Sequence, residues 1–269
     1  MKKLSLQLPM NLKKRERIIM NLTVYDTKEE MAKAAAKTAS DALKMAIAKK
    51  GRAAFVAATG ASQYLFLEAL TRDASIDWSK TTMFHLDEYV GLSSTHPASF
   101  RRYLRERLVA KVHPGEVFFL EGDAPDPEAE ARRLSEVISK YTIDVAFIGV
   151  GENAHIAFND PPADFETKTP FVVVNLDEAC RKQQVGEGWF ASVDEVPTRA
   201  ITMSVSQIMK SETIVCVVPD SRKAKAIKNS IGSADPSPMY PASILKRHLQ
   251  TYVFLDRESA SLLDQKTLK

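Results

Sequence analysis

Cysteine is nearly absent from this chain: Cys180 and Cys216 are the two in 269 residues. No CxxC pair or zinc spacing occurs, which excludes a disulfide scaffold and a structural zinc module and makes a reducing, cytoplasmic compartment the natural expectation. Cys216 lies inside the apolar run Thr213–Val218 and reads as a small core residue. Glycine is scarce too, with 10 residues beside 13 prolines, and neither recurs with a period, which excludes a collagen-like chain. No stretch approaches the ~18 consecutive apolar residues of a membrane span. Hydrophobic residues still make up 45% and charged ones 26%, so the chain can bury a core and is too apolar for disorder.

A strong charge of either sign is also lacking, since the formal net charge is +3. That surplus sits in the first 19 residues, where Lys2, Lys3, Lys13, Lys14, Arg15 and Arg17 face Glu16 alone. A basic tail is weak evidence for nucleic acid, and neither a nucleic-acid nor a membrane partner is expected. The tail has no apolar stretch of the ~7–15 residues that a secretory signal needs. Residues 1–19 are expected to be a flexible basic extension and residues 20–269 a single domain, with Met20 opening the folded part.

What is present is alternation. Strand-length apolar runs begin at Leu22, Ala53, Thr82, Val117, Ile143, Phe171, Ala200, Thr213 and Thr251, and segments of helical period lie between many of them. Thr27 and Glu30 form a capping box that opens an Ala-rich helix to about Lys49. Continuous runs such as VAFIGV and TIVCVV suit strands buried on both faces. The spacing predicts a doubly wound α/β fold, with about nine strands in a mostly parallel, Rossmann-like sheet. Ligands of such sheets sit beyond the carboxyl ends of the strands.

Four strand-end motifs therefore carry the chemistry. Thr59-Gly60-Ala61-Ser62 lets backbone N–H groups approach an anion at a helix start, and it lacks the lysine of a nucleoside-triphosphate loop. In His85-Leu86-Asp87-Glu88-Tyr89, adjacent carboxylates project differently, and one facing a cleft can shuttle a proton between sugar carbons. Gly149-Val150-Gly151-Glu152-Asn153-Ala154-His155 superficially fits a dinucleotide fingerprint, but Pro161 and Pro162 leave no room for the helix that fingerprint requires. What remains is a tight polar loop of Glu152, Asn153, His155 and Asp160, suited to holding a histidine in one tautomer and with no second His or Cys close in sequence for a metal. Arg181-Lys182 and Arg222-Lys223 supply cations at strand ends. Together these features describe a site for a small phosphorylated metabolite.

The order and spacing of these segments resemble the glucosamine-6-phosphate deaminase family over about residues 20–255. Phe84-His85-Leu86-Asp87-Glu88-Tyr89-Val90-Gly91-Leu92, His96-Pro97 with Ser99-Phe100, Gly149-Val150-Gly151 with His155-Ile156-Ala157-Phe158-Asn159, Ser221-Arg222-Lys223-Ala224 and Pro241-Ala242-Ser243-Ile244-Leu245 carry the likeness. The wider superfamily includes 6-phosphogluconolactonases, which usually carry Asp-Glu-Arg where this chain has Asp87-Glu88-Tyr89. The resemblance implies conversion of glucosamine 6-phosphate to fructose 6-phosphate and ammonia, without metal or organic cofactor. It implies Asp87 as the proton carrier between C2 and C1, His155 in ring opening, and Asn153 and Asp160 beside it in the catalytic group. It also implies Thr59, Gly60, Ala61, Ser62 and Lys223 on the phosphate, with Glu88 and an arginine near Arg181 at the substrate.

The departures are specific. The family's usual loop reads Gly-Asn-Asp-Gly-His, with Glu before the proline; here Asn153 stands for the acid, Ala154 for glycine and Asp160 for glutamate. An amide in place of the acid can orient His155 but stabilises its charged form less, and Glu152 compensates if the loop turns it inward. Ala61 and Gln63 replace the usual Gly and Pro, and Pro170 stands near an arginine tied to allosteric control in some members, so that control is not expected here. A sugar-phosphate lactonase using His155 to activate water, and a non-catalytic sugar-phosphate sensor, are the alternative readings. Homo-oligomerisation stays open.

Overall fold

The computed structural model describes residues 3–5, 19–233 and 235–264. Eight strands form the main sheet: β1 (Lys3–Ser5), β2 (Ile19–Tyr25), β3 (Ala53–Ala57), β4 (Thr81–His85), β6 (Glu116–Phe118), β7 (Val145–Ile148), β10 (Thr213–Val218) and β11 (Gln250–Asp256). Their spatial order is β1-β2-β11-β10-β7-β3-β4-β6, parallel throughout except for β1 on β2. Most of the expected basic extension lies outside the described residues, but the backbone of residues 3–5 pairs with β2, which itself begins at Ile19.

Side-chain alternation on β10 shows why the apolar runs are continuous. Val215 and Val217 join one core cluster while Ile214, Cys216 and Val218 join the other, so both faces of the sheet are covered. α1 (Lys28–Lys50) covers one face. The Thr27 hydroxyl accepts from Glu30 N at 3.1 Å, as the capping box predicts, and Gly51 ends the helix at φ 75°. Its inward stripe is mostly alanine (Ala32, Ala35, Ala36, Ala39, Ala46), which lets the helix sit close to the sheet and to α2 (Tyr64–Thr71). The segment from Phe100 to Val112 runs as α3 (Phe100–Leu104), a π-turn and α4 (Ala110–Val112). α5 (Pro127–Ile138), α6 (Glu178–Gly186), α7 (Val205–Ile208) and α8 (Ala224–Ser230) complete the helices. The doubly wound α/β expectation holds.

One part of it does not. The runs at Phe171 and Ala200 were expected with the other strands in the parallel set. They leave it instead, because β8 (Phe171–Asn175) and β9 (Arg199–Met203) form a separate antiparallel sheet with β5 (Asp87–Tyr89), in the order β5-β9-β8. β8 is half-exposed, with burial unlike that of the central strands. Only Leu86 separates β4 from β5, so the chain passes from one sheet to the other across a single residue. Leu86 N–H bonds Ala57 O in the main sheet, and Leu86 O accepts from Met203 N in the small one.

Candidate active site

The main sheet reverses its order of succession between β3 and β7, and the loops following these strands open a crevice there. After β3, Gly60 adopts φ 93°, which a residue with a Cβ rarely takes, and Ala61–Gln63 form a short 3-10 turn leading into α2. The leading N–H groups of such a turn have no acceptor within it and face outward. Tyr103 Oη donates to Gly60 O at 2.9 Å and fixes the loop from behind.

At the β4–β5 step, the buried Asp87 side chain lines the same crevice, together with Leu86, Phe100 and Phe158. Loss of water around this carboxyl, with the neighbouring Glu88 charge, pushes it up to about 8. The expectation that Glu88 reaches substrate is corrected. Glu88 is fully buried and turned away, with its oxygens accepting from the N–H groups of Tyr89, Phe100 and Arg101 and from Ser99 Oγ. It caps the start of α3, where an anion suits the exposed N–H groups.

The loop after β7 curls back as a turn, with no helix, as the two prolines require. Ala154 and Ala157 have φ 71° and 49°, and Gly151 N donates to His155 O at 2.9 Å. A Cβ on Gly151 would lie 2.2 Å from the His155 ring, so only glycine allows the backbone to lie against the imidazole. His155 lines the crevice, and its Nδ1 is 3.1 Å from Asp160 Oδ1, in contact but off the line of a straight hydrogen bond. Asp160 therefore reaches the histidine. Burial alone would raise the Asp160 carboxyl; His155, the Asn153 amide and the Asp177 N–H together hold it below its ordinary value.

Asn153 is bonded to both members of this pair and does not itself line the crevice. Its Oδ1 accepts from His155 N, and its Nδ2 donates to Asp160 and Asp177, each at 3.0 Å. The Glu152 carboxylate turns outward to Arg222 at 3.5 Å, so it does not compensate at the histidine. Thr202 ties the two halves together: it pairs with Asp87 across β5–β9, and its Oγ1 accepts from Phe158 N at 3.0 Å. Cys180, remote in sequence, comes within 4.8 Å of His155 and Asp160. Burial, with the Asp160, Asp177 and Asp87 charges nearby, raises its thiol far above the usual range.

Lys223 enters the crevice from the turn before α8 and is 2% exposed. Burial lowers its pKa, partly offset by Glu187 and Glu152. Arg181 does not join it. The Arg181 guanidinium donates to Val193 O and Val196 O and pins the segment after α6, so it supplies no second cation here. α6 and its C-terminal turn instead contribute Gln183, Gln184 and Glu187, which the sequence reading missed because they belong to no strand-end motif.

The profile of the glucosamine-6-phosphate isomerase/6-phosphogluconolactonase family matches residues 26–253. Glucosamine-6-phosphate deaminase of an Exiguobacterium species is 39% identical over 233 residues, covering 84% of this chain and 89% of that protein. The deaminase of Bacillus pumilus is 35% identical over 249 residues, covering 90% and 100%. A solved monomeric glucosamine-6-phosphate deaminase superposes with a TM-score of 0.82 at 32% identity, covering 90% of this chain and 100% of that one. A 6-phosphogluconolactonase from Shewanella baltica shares the fold, with a TM-score of 0.71 at 22% identity. The chain belongs to the glucosamine-6-phosphate isomerase/6-phosphogluconolactonase family.

Proposed function

We propose that this protein converts glucosamine 6-phosphate to fructose 6-phosphate and ammonia. The observation that carries the reading is that a buried carboxyl (Asp87) and a histidine backed by Asp160 (His155) line one crevice with the Thr59–Ser62 loop and Lys223, Asp160 itself lying behind the histidine.

In this reading His155 uses its Nε2 side at the anomeric oxygen to open the sugar ring, while Asp160 orients the imidazole through Nδ1. Asp87, once ionised, removes the C2 proton and returns it to C1. The resulting C2 imine takes up water and releases ammonia, leaving the ketose. The Ala61 and Ser62 N–H groups and Lys223 hold the phosphate, with Thr59 and Gly60 shaping the loop. Asn153 acts at one remove, by fixing Asp160. All these groups belong to the chain itself. A cytoplasmic location is proposed with this activity; among the described residues no helix is long and apolar enough to cross a membrane.

The test is release of ammonia and fructose 6-phosphate by the purified protein, with Asp87→Asn alongside. Loss of turnover in Asp87→Asn with retained ligand-induced thermal stabilisation supports the reading. Hydrolysis of 6-phosphogluconolactone that survives Asp87→Asn would favour the lactonase, and ligand binding without product would favour the sensor.

A further inference from the structure

Resting on the phosphate seat just proposed, the geometry points to Glu187 as a built-in competitor for that seat, one that sets how weakly the site holds a phosphate ester. Lys223 is the one lysine or arginine among the described residues lining the crevice, and Glu187 Oε1 lies 3.9 Å from its Nζ. The other oxygen, Oε2, lies 3.8 Å from where a Cβ would stand on Gly60, so the carboxylate spans from the cation to the anion-binding loop.

Glu187 is held there by more than Lys223. Gln183 Nε2 donates to Oε1 at 2.8 Å, and Trp189 Nε1 donates to Oε2 at 3.2 Å. The side chain is 5% exposed. Trp189 in turn packs near Tyr64 and Tyr103, at ring-centroid distances of 6.4 and 6.3 Å. Gln183 Oε1 accepts from Glu152 N at 2.8 Å, which fastens α6 to the histidine loop. The carboxylate thus has a supporting frame and is not a loose surface group.

A phosphate at this seat needs the charge of Lys223 and brings its own negative charge within a few ångström of Glu187. Either it shares the lysine with a like-charged neighbour or it displaces that neighbour from its donors; both weaken binding. Gln184, beside Gln183 on the same helix, is uncharged and suits a sugar hydroxyl. The selective consequence is a site that discriminates against small free anions, which lack the sugar contacts needed to offset the repulsion.

The experiment is titration of inorganic phosphate by calorimetry into wild type, Glu187→Gln and Glu187→Ala, followed by steady-state kinetics with glucosamine 6-phosphate. The expected result is phosphate binding at least about tenfold tighter in both variants, from removal of one nearby charge in a poorly hydrated site. KM for the sugar phosphate falls in parallel, and the gain in kcat/KM arises through KM. Glu187→Gln keeps the shape of the site, and Glu187→Ala gives a second reading if the amide perturbs folding. Unchanged or weaker phosphate binding in both variants overturns the proposal, because Glu187 would then serve to keep the buried Lys223 charged. Tighter phosphate binding with no ammonia release from any of the proteins leaves the competitor standing and removes the deaminase reading.

Discussion

The amide nitrogen of Asn153 lies 3.0 Å from Asp160 Oδ1, so a neutral donor faces the carboxylate that backs His155. Asp177 accepts from the same nitrogen at the same distance. An acid at position 153 would set three carboxylates around one point. Asn153→Asp is therefore expected to lower kcat by about tenfold or more and to lower Tm, because the loss of two donors and like-charge repulsion together cost ~2–4 kcal/mol. Turnover and thermal melts at neutral pH check this; a faster enzyme would mean that the loop rearranges.

Asp87 sets a pH dependence of activity. With its carboxyl held near 8, kcat/KM is expected to rise with pH and level off above about 8, as the free enzyme's base ionises. A pH–rate profile flat from 6 to 9 would contradict that role.

The same carboxyl sets a pH dependence of stability. Above pH ~4 the unfolded chain has shed a proton that the folded protein keeps to about 8, so Asp87 destabilises the fold progressively as pH rises between those values. Asp87→Asn is expected to be neutral at pH 4 and stabilising by roughly 2–4 kcal/mol at pH 8. Denaturant unfolding at both pH values measures the difference.

Two small residues on the histidine loop should respond in opposite directions. Ala154 sits at φ 71°, where a Cβ is strained, so Ala154→Gly is expected to be neutral to stabilising by up to ~1 kcal/mol with activity retained. Gly151→Ala drives a methyl into the His155 ring and is expected to reduce kcat by about a hundredfold, since a 1 Å displacement of a catalytic group suffices for that loss.

Arg181 and Lys223 should separate cleanly. Arg181→Met removes donors to two carbonyls and is expected to lower Tm with a small effect on KM. Lys223→Met is expected to raise KM for a sugar phosphate by about ten- to a hundredfold, the cost of one charge-assisted contact. Kinetics and melts on the two proteins decide it.

Much of this molecule was legible from residue order. The Thr27 cap, the doubly buried strands and the crossing of chemistry-bearing loops at one sheet edge follow from local patterns, because each depends on neighbours in sequence. Asp87 and His155 were legible because they follow strands. Glu88 and Arg181 were misplaced for a shared reason: nothing in sequence shows that a charged side chain is already spent on a helix start or on distant carbonyls. Glu187 and Cys180 were missed because α6 reaches the crevice only through tertiary packing. The small sheet escaped because an apolar run of five residues reads the same in a parallel or an antiparallel setting.

Thr202 belongs to that small sheet. Its backbone stands opposite Asp87 on one side and Val172 of β8 on the other, while its hydroxyl grips the loop that carries His155. Acid and base thus share Thr202 as a common support, beside the separate anchors that each has after β4 and β7. An amino-acid change on β8 that displaces Thr202 is therefore expected to reach both groups at once.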